Sequence, residues 1–278
     1  KEIFIFNNAS TDGTKSYLDS LKNNKITISH SKENLGGAFG FYEGVRHFEY
    51  SDLDYVLLID DDAILDKNYN YEIIKYMKNL NDICCFSGTV KTNDKIQYEH
   101  RRHLKNRKKF KENFSNEKEY SKEYFDYELS TFCGLFIPVN LIKKIKYPSK
   151  EFFIWFDDTE YSLRLLNYGK IRNINSAFLN HKTNLNNKSG HNWKSYYSLR
   201  NRIIVLKRHF SRWELFKYLI SLRIKLLELS IVTIVKKDAY YKIVFKMYKD
   251  AIKDGTKEIL GKNIQYTPQM KFPEKHKI

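Results

Sequence analysis

Three consecutive carboxylates, Asp60, Asp61 and Asp62, directly follow the apolar run "YVLLI". Neighbouring like charges repel, so the triplet costs stability unless water or a cation compensates the charge. On an extended chain the first and third side chains point to one side and the second points away. Carboxylate oxygens bind Mg²⁺ or Mn²⁺, and such a cation can neutralise a diphosphate. The triplet is therefore a candidate metal site, with a solvated acidic turn as the alternative.

Other side chains with chemical potential lie further along the chain. Asp157 and Asp158 follow an aromatic run that includes Trp155, at a point where a helix is predicted to begin. Carboxylates in a first helical turn interact favourably with the helix dipole, so capping alone can explain the pair. His181 ends the strand-like "AFLNH", and His191 follows in a loop that contains glycine. A single histidine is more often structural than a ligand.

The composition limits the classes of protein. The 278 residues carry a formal net charge of +16, with 42% hydrophobic and 15% aromatic content. A packed core is expected, and the charge indicates an anionic partner: nucleic acid, anionic lipid headgroups or nucleotide phosphates. Three cysteines, two of them adjacent, indicate no disulfide framework and favour a reducing cytosol. The sequence shows no signal-peptide pattern at its start and no uncharged apolar run long enough to span a membrane. We therefore expect that the protein is not integral to a membrane.

The elements that position these residues follow an α/β pattern. Over the first 90 residues strand-like and helix-like segments alternate, which is typical of a parallel sheet. The acidic triplet lies at the carboxyl end of a strand, where open α/β sheets bind their ligands. Residues 93–128 show little periodicity and are predicted to be an irregular insertion or flap. A strand over "STFCGLFIP", a helix from about Asp157 to Gly169 and a strand over "KIRNINSAFLNHK" follow, and helices are predicted from Trp193 onward.

Two polar turns precede predicted helices in the N-terminal region. In "NNASTDGT", which contains Asn7 and Asp12, Ser10 or Thr11 is expected to cap the next helix. In "NLGGAFG", which contains Asn34, Gly36 and Gly37, the glycines either open a helix or allow the backbone to approach a nucleotide closely.

Five motifs occur in a fixed order: "NNASTDGT", "NLGGAFG", "LLIDDDAIL", "WFDDTEYSLR" and "YYSLRNR". Together they resemble the family 2 inverting glycosyltransferases of GT-A type, particularly bacterial galactofuranosyl- and rhamnosyltransferases. The resemblance implies an α/β fold with a Rossmann-like mixed sheet flanked by helices. It implies a catalytic domain over residues 1–205 and a helical C-terminal extension over residues 206–278. Family members begin with one further strand, so this chain starts at what corresponds to their second strand.

The resemblance also implies a donor site and a metal. Mn²⁺ or Mg²⁺ would be bound by Asp60, Asp62 and His181, since the spacing favours His181 over His191. Lys182, Arg200 and Arg202 could neutralise a diphosphate, or "YYSLRNR" could be a solvated helix face. The nucleotide sugar would contact Asn7, Asp12, Asn34, Gly36, Gly37, Asp60, Asp61 and Arg200, although the family more often has Asp where Asn7 stands.

For the acceptor, the resemblance implies Asp158 as the general base that deprotonates the attacking hydroxyl. Asp157 and Glu160 would orient the acceptor, and Trp155 would stack on a sugar ring unless it is a core tryptophan. One in-line displacement would invert the anomeric centre without a covalent intermediate. The donor would be a UDP- or dTDP-sugar, and the acceptor a glycan or lipid-linked glycan of surface polysaccharide.

Two other classes of protein remain as alternatives. A nucleic-acid-binding protein fits the charge, but no recognised motif is present and the lysines are scattered, so we expect no nucleic-acid partner. A metal-dependent nucleotidyl- or phosphotransferase could use the acidic triplet but leaves "WFDDTE" without a role.

The basic and apolar stretch from residue 212 to 250 also has two interpretations. It is either a helical pair packed on the catalytic domain or on another subunit of a homo-oligomer, or a helix in the membrane interface. The second interpretation predicts a cytoplasmic enzyme peripheral on the inner face of the cell membrane, beside a lipid-linked acceptor.

Overall fold

The protein, seen here as a computed structural model, is described over residues 1–77, 82–182 and 190–273. Its strands are β1 (Ile3–Asn7), β2 (Ile26–His30), β3 (Tyr55–Leu58), β4 (Ala63–Leu65), β5 (Ile83–Thr92), β6 (Lys95–Ile96), β7 (Arg101–Asn106), β8 (Lys109–Phe114), β9 (Tyr124–Tyr127), β10 (Leu129–Ser130), β11 (Leu135–Pro138) and β12 (Lys170–His181). Its α-helices are α1 (Thr14–Ser20), α2 (Gly37–Phe48), α3 (Tyr69–Lys75), α4 (Glu117–Tyr120), α5 (Val139–Ile145), α6 (Asp157–Leu165), α7 (Trp193–His209), α8 (Arg212–Lys236) and α9 (Ala239–Thr256).

The chain divides into two compact units. The sheet unit comprises Lys1–Lys105, Lys111–Lys150 and Asp157–Asn186, and the helical unit comprises Asn106–Phe110, Glu151–Phe156 and Asn187–Ile278. Helix α7 therefore groups with the later helices, whereas the sequence-based division after residue 205 placed it with the catalytic domain.

The sheet unit is built on a mixed sheet with the strand order β3-β11-β5-β12-β4. In addition, β6 pairs with β5 and β9 pairs with β12. Strands β5 and β12 run parallel, and β11 and β4 pair antiparallel with their neighbours. Along β3, Val56 and Leu58 belong to one core cluster while Tyr55 and Leu57 pack against another. Both faces of the sheet are thus covered, and the predicted α/β fold with a mixed sheet is confirmed.

The first two strand–helix pairs form as predicted. Strands β1 and β2 pair in parallel, and α2 buries Ala38, Val45 and Phe48, which recur at helical spacing. The predicted cap of α1 is wrong, because Gly13 occupies the N-cap position without a side-chain bond. Asp12 instead accepts hydrogen bonds from the Thr14 amide at 3.3 Å and its hydroxyl at 2.6 Å. Asp12 therefore stabilises the turn that leads into α1.

The prediction of an irregular segment over residues 93–128 is wrong. Strands β7 and β8 form a hairpin, β10 pairs with β7, and β9 pairs with β12. The periodicity was hidden because a core position of β7 is occupied by Arg101, which is fully buried. Its guanidinium donates to the carbonyl oxygens of Gly88 at 2.7 Å and Cys133 at 2.9 Å. A buried cation satisfied by backbone carbonyls cannot be recognised from hydropathy.

The remaining predicted elements of the sheet unit differ mainly at their ends. Helix α3 ends at Lys75, and the last part of the helix predicted over "YEIIKYMKNL", residues 78–80, lies outside the described residues. Helix α6 begins at Asp157 as predicted and ends at Leu165, shortly before Gly169 with its φ of 146°. That φ suits glycine at the turn into β12.

Helices α7, α8 and α9 make up most of the helical unit, each begun by a side-chain cap from Asn192, Ser211 and Asp238 respectively. The unit has its own core, which includes Tyr197, Leu229, Val244 and Met247. The stretch predicted from 212 to 250 is divided between α8 and α9 at Lys237, which adopts a left-handed conformation with φ of 51°. Within the described residues no helix has the length and apolarity needed to cross a bilayer.

Candidate active site

The pairing of two strands brings the acidic triplet to a histidine. Strand β4 pairs antiparallel with the end of β12, so His181 lies opposite Ala63, the residue after Asp62. His181 Nε2 lies 2.8 Å from Asp62 Oδ1 and 3.9 Å from Asp60 Oδ2. The Lys182 amide donates to the Asp62 carbonyl at 2.8 Å, which holds the two segments together. Asp60 and Asp62 thus share one side of the turn, whereas Asp61 is exposed.

Cys133 is a member of this cluster that the sequence analysis did not select. One potential ligand atom from each of Asp60, Cys133 and His181 lies within 4.8 Å of the others. Gly134, with φ of 82°, makes the turn into β11, and a Cβ there would come within 2.5 Å of the Tyr69 hydroxyl. Burial raises the pKa of the Cys133 thiol, as does the carboxylate of Asp60, with which it forms a hydrogen bond. Cys133 is therefore a neutral thiol that donates to Asp60.

These side chains fit a divalent cation. Two carboxylate oxygens and one imidazole nitrogen converge, and Mn²⁺ accepts both kinds of donor. Burial raises the pKa of Asp60 and the neighbouring Asp62 raises it further, while His181 opposes the shift. Two carboxylates that disfavour each other's charge gain from a cation between them. His181 Nδ1 is buried, and no hydrogen-bond partner for it is found among the described residues.

The second acidic group begins helix α6, as the sequence predicted. Asp157 is buried at 7% exposure, and Asp158 is flanked by Thr159, whose hydroxyl donates to Asp158 Oδ1 at 3.0 Å. Burial raises the pKa of both carboxyl groups, and the charge of Asp158 raises that of Asp157 further. The N-terminus of a helix favours the ionised form, but here burial has the larger effect.

Arg102, on strand β7, is the cation next to this pair. One of its terminal nitrogens lies 4.0 Å from Asp158 Oδ2 and donates to the Thr159 hydroxyl at 2.9 Å. The other terminal nitrogen forms an ion pair with Glu112 at 2.7 Å. Its positive charge lowers the pKa of Asp158 and so opposes the effect of burial. No sequence motif indicated Arg102, because it lies in the segment expected to be irregular.

The two acidic groups influence each other. The negative charge of Asp158 raises the pKa of Asp60, and that of Asp60 raises the pKa of Asp157. Such effects are felt only over short distances through a protein interior. The cluster around Asp60 and the start of α6 therefore belong to one site of the sheet unit.

Five of the residues predicted to bind the nucleotide lie at or after the ends of β1 and β2: Asn7, Asp12, Asn34, Gly36 and Gly37. Asn7 is buried, and its side chain bonds to the His30 ring at 3.0 Å and to the Ser10 amide at 3.1 Å. Asn34 accepts from the Gly36 amide at 2.9 Å and shapes the entry to α2. At Gly37 an added Cβ would meet no atom within 4 Å, so the start of α2 is open. Open backbone amides at a helix start suit an anionic ligand.

Glu160, predicted to orient the acceptor, lies in the first turn of α6. It is buried at 4% exposure and accepts from Arg164 at 2.9 Å and 3.0 Å. Arg164 also donates to the Tyr147 carbonyl at 2.8 Å. The carboxylate is therefore used to anchor α6, and its burial argues against the acceptor contact that the resemblance implied.

Arg200 lies in the helical unit and is 1% exposed. Its guanidinium donates to the carbonyl oxygens of Gly261 at 2.6 Å and Phe152 at 3.0 Å, and to the Asn201 side chain at 2.9 Å. Its role in the structure is to hold backbone segments together. This burial argues against the predicted contact with a diphosphate.

Two further sequence candidates also belong to the helical unit. Trp155 is 43% exposed, with Lys194 lying 5.9 Å from its ring centre, so its ring is not a core side chain. His191 bonds through its ring to the hydroxyl of Tyr240 at 3.2 Å and that of Tyr248 at 3.4 Å. The preference for His181 over His191 as the metal ligand agrees with these contacts.

The chain is similar in sequence to proteins of known function. Residues 1–137 match the family model "Glycosyl transferase family 2". Over 96 residues the chain is 30% identical to the poly-beta-1,6-N-acetyl-D-glucosamine synthase of Staphylococcus aureus (strain COL). That match covers 34% of this chain and 23% of the relative, so the chain matches less than a quarter of the relative's length.

The fold is similar to solved structures at low sequence identity. GalNAc-T7 with UDP, GalNAc and Mn²⁺ superposes with a TM-score of 0.58 at 13% identity, over 93% of this chain and 50% of that one. The mannosyltransferase PcManGT from Pyrobaculum calidifontis, with GDP-Man and Mn²⁺, gives a TM-score of 0.50 at 12% identity, over 92% and 77% of the two chains. Residues 1–137 of this chain are therefore similar to glycosyl transferase family 2, and the chain has the fold of the GT-A glycosyltransferases.

Proposed function

We propose that the chain is a metal-dependent, inverting glycosyltransferase. It moves a hexose from a nucleotide-diphosphate donor to a hydroxyl of a glycan or lipid-linked glycan in the synthesis of surface polysaccharide. The observation that carries the proposal is the combination of two acidic groups in one site. Asp60, Asp62 and His181 converge at the end of β3, and Asp158 lies close enough to affect the pKa of Asp60.

Asp60, Asp62 and His181 would hold the cation, which supplies Lewis-acid stabilisation of the departing nucleoside diphosphate when it is bound. The side chain of Cys133 fixes Asp60 by donating a hydrogen bond. The open start of α2 offers backbone amides to the donor phosphates. In this proposal the donor sugar would face the acidic pair of α6.

Asp158 accepts the proton of the acceptor hydroxyl as its oxygen attacks the anomeric carbon. The bond to the nucleotide breaks in the same step, so the configuration inverts and no protein nucleophile is needed. Arg102 favours the ionised form of Asp158, which the base requires. Asp157, whose pKa is raised by burial and by Asp158, can keep its proton and donate a hydrogen bond to the acceptor.

The identity of the transferred sugar is a more specific part of the proposal. The motif pattern favours galactofuranose or rhamnose, while the matched relative and structures are named for N-acetylglucosamine, GalNAc and mannose. Thermal stabilisation by UDP-galactofuranose, dTDP-rhamnose, UDP-galactose, UDP-glucose, UDP-N-acetylglucosamine and GDP-mannose, each with Mn²⁺, would rank them. The donor that gives the largest shift would then be tested for transfer to glycan acceptors.

The Asp62→Ala variant tests the proposed function. We expect it to lose Mn²⁺-dependent stabilisation by the best donor, because a ligand is removed, and to keep its fold, since Asp62 lies on a half-exposed turn. The matched control is Asp52→Ala, an exposed carboxylate at the opposite end of β3, which should respond to the donor as the wild type does. Equal donor affinity of both variants with Mn²⁺ would refute the metal assignment.

A further inference from the structure

Helix α8 presents a continuous apolar strip to solvent. Its outward side chains are between 38% and 74% exposed. We define the α8 strip as Trp213, Phe216, Ile220, Ile224, Leu227, Ile231, Ile234 and Val235. Scattered exposed apolar residues are common on protein surfaces, but a contiguous strip along a whole helix indicates an interaction site.

The spacing of the α8 strip separates it from the core. Apart from the adjacent Ile234 and Val235, its members recur every three or four residues, and all of them lie on one face of the helix. Leu222 and Leu229, both 5% exposed, lie on the opposite face and pack inside the helical unit. Helix α8 is thus apolar on two sides, of which one is covered by its own unit. The described residues leave the side chains of the α8 strip between 38% and 74% exposed.

The charges along α8 identify the kind of partner. Its cations are Arg212, Lys217, Arg223, Lys225 and Lys236, against the acids Glu214 and Glu228. Both acids already pair with cations on the helix, Glu228 with Lys225 at 2.9 Å and Glu214 with Lys217. Five cations against two acids give the helix a net charge of +3, in a chain with a formal net charge of +16. An anionic partner is favoured by this charge.

We propose that the α8 strip lies in the interface of an anionic lipid membrane, with the helix axis parallel to the membrane plane. The apolar side chains would enter the acyl boundary, and the long, exposed side chains of Arg212 and Arg223 would reach the lipid headgroups. Trp213 and Phe216 stack with ring centres 5.5 Å apart at the start of the strip, and aromatic rings favour this interface. A second copy of the chain fits less well, because pairing two α8 strips would bring together two helices of like net charge.

The inference concerns a surface of the helical unit and is independent of the proposed glycosyl transfer. Its test is co-sedimentation of the full chain with phosphatidylcholine vesicles that contain no or about 30% phosphatidylglycerol. We expect binding to the anionic vesicles only, weakened by raising the salt from about 0.1 M to 0.5 M. The triple variant Ile224→Gln, Leu227→Gln, Ile231→Gln should bind these vesicles at least about tenfold more weakly than the wild type, because it removes apolar contacts with the membrane.

A matched control removes as many exposed apolar side chains elsewhere. The triple variant Tyr17→Gln, Ile74→Gln, Ile264→Gln changes positions that are 65%, 55% and 88% exposed and lie outside α8. It should bind anionic vesicles as the wild type does. Both variants should keep the wild-type melting temperature, because the replaced side chains are at least half exposed.

Two results would overturn the inference. One is equal vesicle binding by the α8 variant, its control and the wild type. The other is a change in the sedimentation mass of the α8 variant with vesicle binding unchanged, which would assign the α8 strip to a second copy of the chain. Loss of donor-dependent stabilisation in Asp62→Ala bears on the glycosyl transfer alone, so the two proposals fail separately.

Discussion

At the scale of single residues, the neighbours Asp157 and Asp158 differ in their partners. Asp158 has a nearby cation, Arg102, and accepts from the Thr159 hydroxyl, and both favour its ionised form. For Asp157 the largest effects, burial and the charge of Asp158, both favour the protonated form. When one of two adjacent carboxyl groups is favoured in its ionised form and the other in its protonated form, the first can act as a base and the second can donate a hydrogen bond. In the proposed mechanism these roles belong to Asp158 and Asp157 respectively.

The first residue-scale prediction concerns Asp158→Asn. The amide keeps the size of the side chain but cannot accept a proton, so we expect the transfer rate to fall by about 10² or more. Donor binding in the presence of Mn²⁺ should be retained, and thermal stabilisation of the variant by the donor measures it. If Asp157→Asn reduces transfer more than Asp158→Asn does, the base is Asp157.

The second residue-scale prediction concerns stability and Asp157→Asn. Below the ordinary carboxyl pKa of 3.8, Asp157 is protonated in both the folded and the unfolded chain, and the replacement has little effect. As the pH rises, the unfolded chain releases this proton, but the folded chain retains it up to the raised pKa, so Asp157 destabilises the fold. Asp157→Asn should therefore stabilise the metal-free protein by about 1 kcal/mol or more near pH 7.

Urea unfolding at several pH values measures this effect. The gain in the free energy of unfolding should shrink as the pH falls towards 4. Asp52→Asn, an exposed carboxylate, is the control and should change little at any pH. A gain of the same size at every pH would mean that the pKa of Asp157 is not raised.

At the scale of elements, the β7–β8 hairpin supplies the charge that faces the start of α6. Strand β7 carries Arg102 towards Asp158, and Glu112 on β8 holds the guanidinium from the other side at 2.7 Å. Arg102 Nε is buried, and among the described residues it has no hydrogen-bond partner. The hairpin is therefore part of the site, and Arg102 is a positioning residue that acts through Asp158.

The element-scale prediction is that Arg102→Met shifts the pH dependence of transfer. Without the cation, the pKa of Asp158 should rise further, and the acidic limb of kcat/KM should move up by about one pH unit. Arg102→Lys keeps the charge and should restore most of the limb. A uniform drop in kcat/KM at all pH values, without a moved limb, would indicate a purely structural role.

At the scale of the whole molecule, the two compact units contain different candidate functional features. The sheet unit contains the candidate ligands, the base and the turns after β1 and β2, whereas the helical unit contains Arg200 and the α8 strip. Within the helical unit, Arg200 joins helix α7 to the backbone at Phe152 and Gly261. A buried cation with these partners contributes to the fold of its own unit.

The molecule-scale prediction is that Arg200→Met reduces stability without reducing donor affinity. Removing the guanidinium takes away the donors that bond to the Gly261 carbonyl oxygen and to the Asn201 side-chain oxygen, which should cost about 3 kcal/mol in urea unfolding. Arg208→Met is the matched control, since Arg208 is partly exposed and pairs with Glu258 at 3.2 Å, and it should cost less than about 1 kcal/mol. A folded Arg200→Met protein with lost donor affinity would restore the original assignment of Arg200 to the diphosphate.

The sequence alone determined the features that depend on short-range patterns. The alternation of strands and helices, the apolar face of α2, the acidic triplet at the end of β3 and the acidic start of α6 were all read correctly. Each reflects hydrophobic periodicity or turn chemistry within a window of a few residues. Burial of one side of an element requires such patterns, so they are visible without a structure.

The tertiary structure decided which distant side chains meet. The register between β4 and β12 places His181 beside Asp62, and the turn at Gly134 brings Cys133 to Asp60. Arg101 and Arg200 look like surface cations in the sequence but are buried, because backbone carbonyls from remote segments accept their hydrogen bonds. Local sequence does not encode these partners: the cost of burying a charge is offset only once strands and loops have packed around it.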